Sequence, residues 1–125
     1  MREFTESDNI GEVLLENMDK KVLSLLYFTA SWCGPCQRVY PLLNELSAKL
    51  KGNEKYNIEF YKVDLDENEE FCEKCNIRSV PTFFVMNGKN LLSQCSGADI
   101  QTIGEMIINT FNTFNEKLLS KVDNK

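Results

Sequence analysis

Apolar positions along the chain switch between helical spacing and strand-like runs, and these switches divide it into a repeating strand and helix alternation that ends in a hairpin and a last helix. Glu3-Phe4-Thr5 reads as a short edge strand, and Ile10, Val13, Leu14 and Met18 line one face of a helix that Asp8 or Ser7 is placed to cap. After the polar turn Asp19-Lys20-Lys21, the run from Val22 to Phe28 alternates too little for a half-exposed strand. It predicts a central strand buried on both faces. A helix opening at Gly34 carries Val39, Leu42, Leu43, Leu46 and Leu50 as its core face, with Pro41 inside it as the expected site of a kink.

Beyond the polar segment from Lys51 to Asn57, Ile58 to Asp64 alternates as a strand, and Glu67 to Cys75 predicts a short acidic helix. A parallel pair of central strands joined through the Pro41 helix follows from this order. Thr82 to Met86 and Leu91 to Cys95 are two strands joined by the hairpin signal Asn87-Gly88, and so antiparallel neighbours. Gly97 breaks the pattern. From Asp99 as cap, a last helix is expected to bury Ile100, Ile103, Ile107, Phe111, Phe114 and Leu118. No repeat, linker or second domain is visible, so one domain over residues 1–125 is expected.

Chemistry concentrates in Trp32-Cys33-Gly34-Pro35-Cys36, where the central strand hands over to the helix. A helix start has unbonded backbone N–H groups and the positive end of the macrodipole, which favour a thiolate over a thiol. Cys33 is therefore the candidate nucleophile, exposed beside Trp32, and Cys36, one turn further in, its resolving partner. Pro35 has a φ suited to the first helical turn and lacks an N–H that would go unbonded there. Gly34 lets a partner chain approach closely.

Composition narrows the alternatives. The chain contains no histidine, which removes Cys-His nucleophilic catalysis, histidine general bases and Cys/His zinc ligation together. Five cysteines form an odd set in a chain with a good apolar pattern, so they are not a disulfide framework standing in for a core. The net charge of −5 argues against nucleic acid or an anionic membrane as partner. No apolar run approaches the roughly 18 residues of a membrane span. Residues 1–8 carry no signal-peptide pattern and Val122-Asp123-Asn124-Lys125 is no retention signal, so a reducing, cytoplasmic setting is expected.

With these residues in this order, the chain from Glu3 to about Leu119 resembles the thioredoxin family. Trp32-Cys33-Gly34-Pro35-Cys36 is similar to that family's active-site motif, Pro41 to its helix proline, Val80-Pro81-Thr82 to its active-site proline segment, and Lys62 and Gly97 stand where the family has a lysine and a glycine. The resemblance implies an α/β thioredoxin fold, a mixed sheet of about five strands flanked by four helices. It implies a protein disulfide reductase in which Cys33 attacks a client disulfide and Cys36 resolves the mixed disulfide. It also implies a cis Val80-Pro81 bond packed on Cys33, with Trp32, Val80, Pro81, Gly97 and Ala98 forming the client surface. No bound cofactor is then needed: electrons come from NADPH through a thioredoxin reductase, and clients are disulfide-containing proteins such as peroxiredoxins. Gly34-Pro35 resembles the reducing members of the family, while Tyr27 to Cys33 is also similar to the tryparedoxin and nucleoredoxin branch.

One departure is chemical. The family usually buries an acid six positions before the first active-site cysteine, and Tyr27 stands there, so Lys62 loses its usual ion partner. Two readings of Tyr27 are open: its hydroxyl, with or without water, orients the surroundings of Cys36, or it fills core space with its hydroxyl bonded elsewhere. Cys72-Glu73-Lys74-Cys75 is a second Cys-x-x-Cys. A zinc site shared with Cys33 and Cys36 is disfavoured by the long intervening spacing and by the first pair's own chemistry, leaving regulatory thiols, a second disulfide or structural cysteines. Cys95 is expected to be structural, and the acidic run from Asp64 to Glu70 a solvated helix start rather than a metal site. Two other functions remain beside the reductase: an interaction module regulated by its redox state, and a dedicated donor to one peroxidase.

Overall fold

Every residue of the strand Leu23–Thr29 (β2) is buried, and the rest of the molecule is arranged around it. The computed structural model describes residues 1–123, so the end of the expected domain and of the C-terminal tetrapeptide, Asn124 and Lys125, lie outside the described residues. The remaining elements are β1 (Arg2–Phe4), α1 (Ile10–Asp19), α2 (Gly34–Lys51), β3 (Ile58–Asp64), α3 (Glu69–Lys74), β4 (Thr82–Asn87), β5 (Asn90–Ser96) and α4 (Ile100–Asp123). The strands form one sheet in the order β1-β3-β2-β4-β5. β1 and β2 both run parallel to β3, and β4 runs antiparallel to β2 and β5, so the sheet is mixed as expected.

Alternation along β2 sends its side chains into two cores. Leu23, Leu25 and Tyr27 join Cys36, Val39, Leu43 and Leu50 of α2 and Ile103, Ile107 and Phe111 of α4. Leu26 and Phe28 join Phe4, Ile10, Leu14, Val63 and Cys72 in the core under α1 and α3. Burial on both faces is why β2 reads as a continuous apolar run.

Local expectations shift where distant partners intervene. The N-cap of α1 is Asn9, whose side chain accepts from the Glu12 N–H at 3.1 Å, and not Asp8 or Ser7. Asp8 is turned back to accept from the Thr5 N–H and to pair with Arg2, each at 2.9 Å. α3 starts at Glu69, because Asn68 spends its Nδ2 on the carbonyls of Phe4 and Asp64, both at 3.0 Å, and so ties β1 to β3. α2 buries Cys36, Val39, Leu43, Ser47 and Leu50 at spacings of three and four, while Leu42 is 43% exposed and Leu46 half-buried. The α2 stripe is thus narrower than its leucines imply.

In the hairpin, Asn87 pairs with Asn90, so Gly88 and Lys89 form the turn. Gly88 has φ +58° and a Cβ there would lie 2.7 Å from Met18 Sδ, so this position requires glycine on both counts. α4 begins where Asp99 accepts from the Gln101 N–H and the Thr102 hydroxyl. It buries Ile103, Ile107 and Phe111, but Ile100, Phe114 and Leu118 only in part.

Candidate active site

The end of β2 delivers the two cysteines to the first turn of α2. The Leu65 N–H bonds the Thr29 carbonyl at 2.9 Å and the Cys33 N–H bonds the Ala30 carbonyl at 3.1 Å, which turns the chain out of the sheet. Cys33 is the N-cap residue in an extended conformation, φ −90° and ψ 107°. The Cys36 N–H donates to Cys33 Sγ at 3.2 Å, so the sulfur takes the capping role usually filled by a serine or aspartate oxygen. Cys33 and Cys36 are joined as a disulfide with their Cα atoms 5.3 Å apart. A negatively charged Cys33 sulfur would meet that same N–H and the positive end of α2.

Cys33 is more enclosed than the sequence implies, only 6% exposed, and Cys36 is fully buried. The Val80-Pro81 peptide bond is cis, as the resemblance implies, and Val80 packs against the core that holds Cys33. The Val80 carbonyl oxygen lies 3.8 Å from Cys33 Sγ. Two ties hold this segment: the Gly97 N–H donates to the Pro81 carbonyl at 3.0 Å, and the Thr82 hydroxyl donates to the Ser79 carbonyl at 2.7 Å. Gly97 has φ +100° with open space around it, so its backbone conformation, not crowding, makes glycine fit.

Around this centre Trp32 is 69% exposed, Gly34, Pro35 and Gly97 are exposed, Val80 and Ala98 are half-buried, and Pro81 is buried. Pro81 therefore contributes through the path of its backbone.

Tyr27 is 1% exposed, and its hydroxyl donates to the Cys36 carbonyl oxygen at 2.8 Å. Its ring lies nearly parallel to Phe83, centroids 5.3 Å apart, and to Tyr40 at 6.0 Å. Lys62, the residue beside Tyr27 in the β2–β3 register, sets its Nζ 4.8 Å from the Tyr40 ring centroid. The cation thus rests on an aromatic face. Burial pushes the Tyr27 phenol above its ordinary 10.0, so it is a neutral donor at physiological pH. Tyr40 and Phe83 were not singled out by sequence; Tyr40 stands four residues after Cys36, the helical spacing that would have flagged it.

The second Cys-x-x-Cys lies elsewhere. Cys72 is buried in the α3-side core, whereas Cys33 and Cys36 belong to the α2-side core, so the sheet separates the two pairs and the four sulfurs do not converge on one ion. No cluster of three or more metal-ligating side chains occurs among the described residues. Burial pushes the Cys72 thiol up to about 12 and raises those of Cys75 and Cys95. Cys75 lines a groove of about 1000 Å³ between the start of α1 and α3, which neither Cys33 nor Cys36 reaches.

Comparison with known proteins adds to this geometry. The Thioredoxin family model matches residues 5–111. A thioredoxin from Ictalurus punctatus is 37% identical over 103 residues, covering 82% of this chain and 92% of the relative. One from Geodia cydonium is 42% identical over 104 residues, covering 82% and 91%. Among solved structures, Fasciola hepatica thioredoxin is similar with a TM-score of 0.78 at 30% identity, covering 88% of this chain and 99% of that one. Plasmodium falciparum thioredoxin is similar with a TM-score of 0.76 at 30% identity, covering 87% and 98%.

Proposed function

This chain belongs to the thioredoxin family, and from that premise we propose that it reduces protein disulfides with Cys33 as attacking and Cys36 as resolving thiol. Thiol-disulfide oxidoreductase activity through the Cys33–Cys36 pair is the family's chemistry and this chain's. The observation that carries the assignment of roles is the bond from the Cys36 N–H to Cys33 Sγ, because it favours negative charge on Cys33 and none on Cys36.

The Cys33 thiolate attacks one sulfur of a client disulfide. A bond forms between the two sulfurs, the client bond breaks, and the departing client thiolate takes a proton. Cys36 then loses its proton and attacks Cys33 Sγ, forming the Cys33–Cys36 disulfide and releasing the second client thiolate, which is protonated in turn. Two electrons and two protons have passed to the client.

Trp32, Gly34, Val80, Gly97 and Ala98 form the surface on which an extended client segment rests, supported by Pro35 and Pro81; the apolar, exposed Trp32 beside a nearly covered sulfur supports this. Regeneration draws on NADPH through a thioredoxin reductase, and clients include disulfide-bearing peroxidases of the peroxiredoxin type, making the chain an electron carrier in redox homeostasis. A single domain is supported by the family match, which runs over residues 5–111 of the 125. A cytoplasmic setting is supported by three cysteines left as free thiols, Cys72, Cys75 and Cys95. No helix among the described residues is long and apolar enough to cross a membrane. Reduction of insulin disulfides with NADPH and a thioredoxin reductase tests the proposal: the parent turns over, Cys33→Ser does not, and equal rates in both would overturn it.

A further inference from the structure

The geometry points to Tyr27 as the positioning residue for the resolving step, its buried hydroxyl holding the Cys36 carbonyl so that Cys36 stays in place while Cys33 carries the client. This rests on the division of roles proposed above. Beside the Gln37 bonds to the Cys33 and Ala30 carbonyls, two hydrogen bonds hold Cys36 in the first turn of α2. One is the bond from the Cys36 N–H to Cys33 Sγ at 3.2 Å, and the other is the Tyr27 hydroxyl on the Cys36 carbonyl at 2.8 Å. The first anchor runs through the reacting sulfur itself. It is present with Cys33 Sγ in a disulfide, but when that sulfur is bonded to a client instead of Cys36 its position is set by the docked chain. At that moment Cys36 must place its own sulfur in line with the bond to be broken.

The backbone bond that spans the cysteines runs from the Gln37 N–H to the Cys33 carbonyl at 3.2 Å. A first turn lacks upstream carbonyl partners for its N–H groups. Pro41 lacks the N–H that would have bonded the Gln37 carbonyl, so the ladder is interrupted immediately after Cys36. The Tyr27 anchor is independent of sulfur chemistry. It comes from the central strand, and its ring is held between Phe83 of β4 and Tyr40 of α2, with Lys62 of β3 seated on Tyr40. A buried tyrosine hydroxyl needs a partner in any case; what ties this one to the site is that its partner is the backbone of the resolving residue, nine positions along the chain.

The test separates capture from resolution. Reduced protein is mixed with an excess of a peptide disulfide, quenched with acid at intervals, and the Cys33 mixed disulfide and the Cys33–Cys36 disulfide are counted by mass spectrometry. Tyr27→Phe keeps the ring and removes only the hydroxyl. Its capture rate should match the parent's while resolution slows roughly five- to tenfold, the order expected for one neutral buried hydrogen bond, so that the mixed disulfide accumulates. Tyr61→Phe is the control: it loses a buried hydroxyl bonded to Asn17 Nδ2 at 2.7 Å in the opposite core and should leave both rates unchanged.

If Tyr27→Phe resolves at the parent rate, or slows both steps together, the inference is overturned. A mixed disulfide carried on a cysteine other than Cys33 would instead overturn the proposed roles. A second measurement needs no change at Tyr27. The Tyr27 hydroxyl proton should remain protected from solvent exchange by NMR in the reduced, oxidised and Cys36→Ser-trapped forms, and rapid exchange in the trapped form contradicts the idea.

Discussion

The backbone N–H of Cys36 points at Cys33 Sγ from 3.2 Å, which makes a sulfur the N-cap of α2 and couples the charge on one cysteine to the backbone of the other. The same arrangement explains why two thiols of one motif can differ in role: Cys33 sits at the rim where the helix end favours negative charge, and Cys36 sits fully buried one turn in.

Thiol reactivity should therefore divide by position. In the reduced protein at neutral pH, iodoacetamide should label Cys33 first, with Cys72, Cys75 and Cys95 labelled slowly, because burial raises all three and holds Cys72 up to about 12. Peptide mapping after timed labelling reads this directly. Rapid labelling of Cys72 at neutral pH would contradict the buried assignment. The folded chain keeps Cys72 protonated to higher pH than the unfolded chain does, so its contribution to stability is full below the ordinary 9.0 and declines as pH rises from there toward 12. Cys72→Ala should flatten that alkaline decline in thermal melts.

Adjacent leucines in α2 should behave oppositely. Leu43 is fully buried and Leu42 is 43% exposed. Leu43→Ala is expected to destabilise the fold by about 2 to 5 kcal/mol through lost burial and a residual cavity. Leu42→Ala should change it by no more than about 0.5 kcal/mol. Urea unfolding of both variants measures the difference, and equal losses would place the helix face wrongly.

The start of α1 gives a third test. Asn9→Ala removes the cap bond to the Glu12 N–H and should lower stability by about 1 kcal/mol. Ser7→Ala leaves that bond intact and should not reproduce the loss. Asp8 acts by a different route, since the Thr5 N–H, and then Arg2, hold its carboxyl below the ordinary 3.8. That contribution is present above the unfolded chain's value and fades as pH falls, so Asp8→Asn should differ from the parent near neutrality and converge with it in acid. Thermal melts across pH separate the two residues.

Much of this protein is legible in its sequence because its central elements carry strong local patterns. β2 reads as a buried strand from continuous apolar residues, β3 has the expected limits, and the cysteine pair announces the strand-to-helix junction. What escapes is decided at a distance. Three adjacent residues can cap α1, and Asn9 does so because Arg2 and Thr5 engage Asp8. The hairpin turn falls on Gly88-Lys89 because register and the packing of Met18 place it there. Tyr27 shows the same limit at the site. Sequence reveals that no acid stands there, but the direction of its hydroxyl depends on how α2 lies over the sheet, and only the fold places it on Cys36.

The most direct test of the proposed roles uses Cys36→Ser, which can capture a client disulfide and cannot resolve it. Mixed with oxidised insulin or a peptide disulfide and mapped by mass spectrometry, it should hold the client through Cys33 alone, with Cys72, Cys75 and Cys95 still free thiols. A stable adduct through any other cysteine, or no adduct where the parent is active, would contradict the assignment.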